Sequence, residues 1–167
     1  ISGNGTAGQG NTKITIKDTA VIKSDSNCPA IYHPQSGTLT VEGGTIQGGT
    51  GIQMCSGDLV ISGNPTITAT GTPAPESGVS SGSIPDGAAI SIVNRDYPGG
   101  TPSLTITGTP LVMANSGVES VQAYKYSYDT APVIEPWDNA AVSISGGYYT
   151  NDVTKYCVEG KMAVENT

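Results

Sequence analysis

One short pattern recurs along this chain and limits what it can fold into. Ile14-Thr15-Ile16, Leu39-Thr40-Val41, Leu59-Val60-Ile61, Leu104-Thr105-Ile106 and Val142-Ser143-Ile144 each place an intervening, mostly small, residue between two apolar ones. Their start positions differ by 25, 20, 45 and 38 residues, so the interval is irregular. The residues after each triplet are more regular. A short turn comes first: Lys17-Asp18-Thr19, Glu42-Gly43-Gly44, Ser62 to Pro65, Thr107 to Pro110 and Ser145-Gly146-Gly147. A second apolar run then centres on Val21, Ile46, Ile67, Val112 and Tyr149, at steps of 5, 5, 6, 6 and 5 from the end of the triplet. The longer steps coincide with Pro65 and Pro110. Proline has a fixed φ and no N–H to donate, so it belongs at a corner and not inside a ladder.

A third run comes at variable distance: Ala30-Ile31-Tyr32, Gly51 to Met54, Ala89 to Ile92, Ser120 to Ala123 and Tyr156-Cys157-Val158. Strand, corner, strand, loop, strand is the order of a parallel β-solenoid with three strands per turn. Each strand pairs with its equivalent one turn away, at about 4.8 Å. Strands therefore stay short while the ladder grows along the axis, and burial comes from stacking neighbours. Alternation turns the ten apolar triplet residues inward. Thr15, Thr40, Val60, Thr105 and Ser143 then form an outward column.

Composition agrees. The chain has 23 Gly, 11 Pro, no Phe and only 13% charged residues, which disfavours long helices. Recurrent Val, Ile and Thr separate it from disordered chains. At 167 residues it reads as a single domain, 1–167, with 151–167 as a C-terminal coil and cap. The opening Ile1-Ser2-Gly3-Asn4-Gly5 starts in mid-pattern, as a piece excised from a larger protein would. A net charge of −7 repels phosphate backbones, so no nucleic-acid partner is expected. No apolar run approaches the roughly 18 residues of a membrane span. A monomer is expected.

The stretch 142-VSISGGYYTNDVTKYCVEGKMAV-164, with the earlier 39-LTVEGGTI-46, resembles the right-handed parallel β-helix repeats of large Gram-positive gut-bacterial surface proteins, whose fold is pectate-lyase-like. The resemblance implies an all-β, right-handed parallel β-helix of about five coils with two long loop insertions. It also implies an extracellular location, wall-attached or secreted, and binding of a host protein such as immunoglobulin or mucin glycoprotein. Its motifs are structural and bring no catalytic signature.

The residues themselves supply little chemistry. Arg95-Asp96 reads as a surface ion pair on a solvated loop. The aspartates stand singly, mostly at turns, where Asx hydrogen bonds account for them. His33, the one histidine, has no Ser or Cys at a matching position. Cys28, Cys55 and Cys157 form no C-x-x-C pair and read as small buried sheet residues. No catalytic residue, metal or cofactor is expected. An outward Thr column suited to ordering ice is broken by Val60, Ser143 and the two insertions, so β-propensity explains it better.

Two segments exceed the minimal coil and are expected to project as loops: Ala69–Gly87 and Ala123–Trp137. Within the second, Tyr124, Tyr126 and Tyr128 share one outward face if Val121 and Ala123 point inward, and Trp137 closes the segment. These four are the candidate ligand-binding residues, because Tyr and Trp offer large rigid contact area at low entropic cost. The competing expectation is that the rings fold back and seal the side of the solenoid. A carbohydrate-active module and a structural spacer are the alternative functions.

Overall fold

A computed structural model describes residues 1–3 and 10–165. Asn4 and Gly5 of the opening stretch, and Asn166-Thr167 of the terminal segment, lie outside the described residues. In chain order the strands are β1 (Thr12–Ile16), β2 (Val21–Lys23), β3 (Pro29–His33), β4 (Gly37–Val41), β5 (Thr45–Gly48), β6 (Thr50–Met54), β7 (Asp58–Ile61) and β8 (Thr66–Ala69). After a 3-10 turn at Pro75–Ser77 come β9 (Ile90–Asn94), β10 (Ser103–Ile106), β11 (Leu111–Met113), β12 (Val121–Tyr128), β13 (Pro132–Pro136), β14 (Ala141–Ile144) and β15 (Tyr148–Tyr149).

The strands form three five-stranded sheets that the chain visits in turn: β1-β4-β7-β10-β14, β2-β5-β8-β11-β15 and β3-β6-β9-β12-β13. Every pairing is parallel except β12 with β13. The chain is thus all-β with stacked parallel sheets, as a β-solenoid requires. In the first sheet the triplets align residue for residue: Ile16, Val41, Ile61, Ile106 and Ile144 form one column and are all buried. The outward column Thr15, Thr40, Val60, Thr105 and Ser143 is in register too.

The interior is filled by Ile, Leu, Val and Met from all three sheets, with Ile31, Ile52, Ile90 and Val121 contributed by the third. Only Gly fits where the corners come closest. A Cβ on Gly44 would stand 2.5 Å from the Ala20 carbonyl oxygen, and one on Gly49 2.4 Å from the Asn27 carbonyl carbon; within β6, a Cβ on Gly51 would stand 2.4 Å from the Ala89 carbonyl oxygen and 2.9 Å from Ile67 Cγ2. The glycine pairs that interrupt 39-LTVEGGTIQGGTGIQM-54 are therefore places where backbone meets backbone.

Three expectations need correction. The second-run residue of the first pass is Ile22, which pairs with Ile46, and not Val21, which pairs with Thr45 and is 62% exposed. The turn before it takes one residue more, because Asp18 adopts φ +58° and Ala20 N–H bonds back to the Lys17 carbonyl at 3.2 Å. Next, Ala123–Trp137 does not project as a loop. β12 runs on to Tyr128 and returns as β13 in an antiparallel hairpin. Last, Tyr156-Cys157-Val158 is not a third-sheet strand. Cys157 bridges Ile144 in the first sheet, and β13 fills the end of the third.

Candidate recognition face

Strands β3 and β6 are buried at every residue, where a strand with one solvated face should alternate. Instead of projecting, the Ala69–Gly87 insertion lies over the outer face of the third sheet at β6, while β3 is flanked by Ile1–Gly3 and covered at Tyr32 by Tyr97. A second apolar cluster forms beneath it from Tyr32, Cys55, Ile84, Val93, Tyr124 and Tyr126, with Tyr97 packed alongside.

Polar contacts fasten the insertion at several points. The Gln53 side-chain amide makes paired bonds with the Ile84 backbone, donating to its carbonyl at 2.7 Å and accepting from its N–H at 2.8 Å. The buried Asp86 carboxylate accepts from Thr50 Oγ1 (2.9 Å), Gln53 Nε2 (3.0 Å), Tyr124 Oη (2.7 Å) and the Ala88 N–H (3.2 Å). Nearer the start of the insertion, the Asn27 amide accepts from Thr72 N–H and donates to the Thr72 carbonyl, both at 3.0 Å.

Arg95 fastens the far side. Its guanidinium donates to the carbonyls of Val79 (2.8 Å), Ser80 (2.9 Å) and Gly82, and lies over the rings of Tyr126 (4.7 Å) and Tyr97 (5.1 Å). The expected surface ion pair with Asp96 is replaced by this clamp on the main chain. Arg suits that task because its planar fork carries several donors and stacks on aromatic faces.

Burial sets the ionisation of these groups. It raises the Asp86 carboxyl, against the lowering effect of hydrogen bonds from Ser91, Tyr124, Thr50 and the Ala88 N–H. It raises the Tyr124 and Tyr32 phenols and pushes the Cys55 thiol up to about 12. His33 is buried and held below its ordinary value by loss of solvent. One ring nitrogen, Nδ1, lies 3.1 Å from the Ser56 carbonyl, leaving Nε2 to accept from Thr12 Oγ1 at 3.4 Å. Of these groups Asp86 and Tyr124 tie the sheet to its cover, and all of them are buried.

The cysteines differ from the sequence expectation. Cys55 is buried, Cys157 is half-buried and Cys28 is exposed. Because the thiolate is the reactive form, a maleimide should label Cys28 within minutes and leave Cys55 untouched until the chain unfolds. Peptide mass spectrometry of native and urea-treated samples checks this.

The candidate residues part company. Tyr124 and Tyr126 do point away from the interior, but the insertion covers them and they are only 7% and 3% exposed. The Tyr126 hydroxyl is buried under Gly78 without a hydrogen-bond partner among the described residues. Tyr128 is 39% exposed at the end of the hairpin. Trp137 is half-buried against the main interior and not against the tyrosines. Val133 and Ile134 of β13 and Val79 at the crest of the insertion were not singled out from the sequence, yet all are exposed. Ile134 pairs with Tyr126, the ring under Arg95, and β13 lies against the Pro75–Ser77 turn, so hairpin and insertion meet.

Among the described residues no cluster of three or more His, Cys, Asp or Glu could hold a metal ion, and no helix is long and apolar enough to cross a membrane. Set against family models, curated proteins and solved structures, the chain matches none.

Proposed function

We propose that this chain is a right-handed parallel β-helix of about five coils, and that it serves as a non-catalytic recognition module of a bacterial surface protein. Its partner is a host extracellular protein, immunoglobulin or a mucin glycoprotein. The contact surface is the side on which the two insertions meet. One observation supports this reading above others: Val79, Tyr128, Val133 and Ile134 are exposed apolar side chains on segments held in place, the insertion by the Gln53 and Arg95 contacts and the hairpin by Tyr124 on Asp86, Tyr126 under Arg95 and the β12–β13 ladder. Fixed apolar side chains lose little entropy on binding, which is the property of an interface anchor.

Substituting Tyr124 and Tyr126 confounds binding with folding, because both are buried. The informative variant is Tyr128→Ser/Val133→Ser/Ile134→Ser, read by biolayer interferometry on immobilised immunoglobulin and mucin. Wild type is expected to bind one of them, and the triple variant to bind at least about tenfold more weakly with an unchanged circular dichroism spectrum. Equal binding by both proteins, or no binding by wild type, contradicts the proposal.

A further inference from the structure

The Ala69–Gly87 insertion is fastened unevenly. Its second limb is locked: Ile84, Asp86 and Gly87 are all buried, and Gln53, Thr50 and Tyr124 bond to them. The Ala74 N–H donates to the Pro85 carbonyl at 2.7 Å, which closes Ala74–Pro85 into a compact loop with its ends together. Between those ends, Pro75 to Ser83 bury no side chain fully. Gly78 alone is buried there, and it has no side chain to bury. Apart from the contact of the Pro75–Ser77 turn with β13, this part is held down by Arg95, through the carbonyls of Val79, Ser80 and Gly82.

Two groups beneath the loop are poorly served by it. A guanidinium is always charged, yet the acceptors of Arg95 among the described residues are neutral carbonyls, and its flat face lies over two tyrosine rings. The adjoining Cys55 thiol is neutral as well, since burial pushes it up to about 12. A carboxylate matches the guanidinium fork and makes bonds roughly twice as strong as a neutral acceptor does. The second group is the Tyr126 hydroxyl, which has no partner among the described residues and has Gly78 pressed over it. Buried hydroxyls are seldom left so, because the lost water is not replaced. Lifting the loop frees both groups. The closed loop is a peptide segment lying across a cationic, aromatic site without the charge that such a site binds best.

We propose that Arg95 and Tyr126 form a binding site for the side-chain carboxylate of an acidic peptide segment, and that Pro75–Ser83 are a flap which occupies the site until that segment displaces it. The carboxylate takes the Arg95 fork in place of the flap carbonyls, and Tyr126 Oη donates to the incoming segment. The segment has the flap's own form, small residues as in Gly78-Val79-Ser80-Ser81-Gly82, with one acidic residue among them. A strongly acidic segment is repelled by the chain's net charge of −7. The proposal deepens the recognition reading and rests on it for the origin of the segment, as part of the partner protein. Displacement releases Val79, whereas Tyr128, Val133 and Ile134 stay on a hairpin that Tyr124 ties to Asp86.

The test needs no immunoglobulin or mucin, so its failure and that of the recognition reading are separate results. The probe is acetyl-Gly-Ser-Glu-Ser-Gly-amide, with Gln replacing Glu in the control peptide, titrated into isotope-labelled protein at constant ionic strength. Amides of Val79 to Ser83 are expected to shift and saturate with the Glu peptide, at least about tenfold more tightly than with the Gln peptide. Elastase is expected to cut the flap faster with the Glu peptide bound, the reverse of the protection that ligands usually give.

Two variants separate the site from the fold. Gly78 has φ −61° and ψ 157°, which suit any residue, so G78A adds only a methyl group, 2.5 Å from Tyr126 Oη and 3.0 Å from the Pro75 carbonyl oxygen. G78A is expected to prop the flap and bind the Glu peptide several-fold more tightly, because binding no longer has to open the site. R95Q is expected to lose the preference for Glu over Gln while Ile84 and Gly87 stay protected from exchange. Shifts that do not saturate, equal affinity for the two peptides, G78A binding no tighter than wild type, or R95Q keeping the preference each overturns the proposal. Galacturonate binding as tightly as the Glu peptide overturns the peptide assignment.

Discussion

Asp86→Ala is expected to lower the free energy of unfolding by about 3 kcal/mol or more, since it strands several buried donors at once. Thr50 Oγ1, Gln53 Nε2 and Tyr124 Oη all donate to this carboxylate, and Gln53 and Tyr124 are themselves buried. The loss is also expected to carry a pH signature. Burial gives the folded chain a higher Asp86 pKa than the unfolded chain. Between the unfolded value of about 4 and the raised folded value, the folded state therefore binds more protons. Its stability falls as pH rises through that window and is level above it. Asp86→Ala removes this component. Urea unfolding of both proteins from pH 4 to 8 measures it. A change within about 0.5 kcal/mol, of the size of an ordinary surface substitution, contradicts the assigned role.

Ile67→Ala is expected to cost about 2–5 kcal/mol. Ile67 is fully buried in the second sheet, between Ile46 and Val112, and its Cγ2 faces the close approach at Gly51. Surrounding sheets are fixed by their own ladders and cannot collapse into the space. Val21→Ala, one position off the equivalent column, should change stability by no more than about 0.5 kcal/mol. Chemical denaturation of the two variants checks the register. Equal losses would return Val21 to the interior.

The first sheet was legible because its triplets obey a simple chemical contrast. Inward positions hold Ile, Leu or Val, and outward ones hold Thr or Ser at every layer but Val60. The first-pass corner was not, because 17-KDTAVI-22 has neither Gly nor Pro to fix its length and offers two adjacent apolar residues. Asp18 alone decides between them, through a left-handed conformation that Asp tolerates but does not announce.

The cover over the third sheet is the larger omission. A signal was present. Outward positions there hold Tyr32, Gln53, Cys55 and Val93, residues that a solvated face does not collect, where the first sheet has threonines. Tyr124 and Tyr126 belong to the same set. Alternation gave their direction, but whether a loop 40 residues earlier lies over them depends on Gln53, Asp86 and Arg95. Those are long-range polar contacts without a sequence period.

Hydrogen exchange in the insertion tests that arrangement most directly. The amides of Ile84 and Gly87 donate to Gln53 Oε1 at 2.8 Å and Thr50 Oγ1 at 3.1 Å, and both are buried. They should exchange as slowly as strand amides of β6 and β9, while Ser80 and Ser81 at the exposed crest exchange freely. Gln53→Ala should release Ile84 first. If Ile84 and Gly87 instead exchange at free-peptide rates in the wild type, the insertion does not cover the third sheet, and the braced face proposed for recognition does not exist.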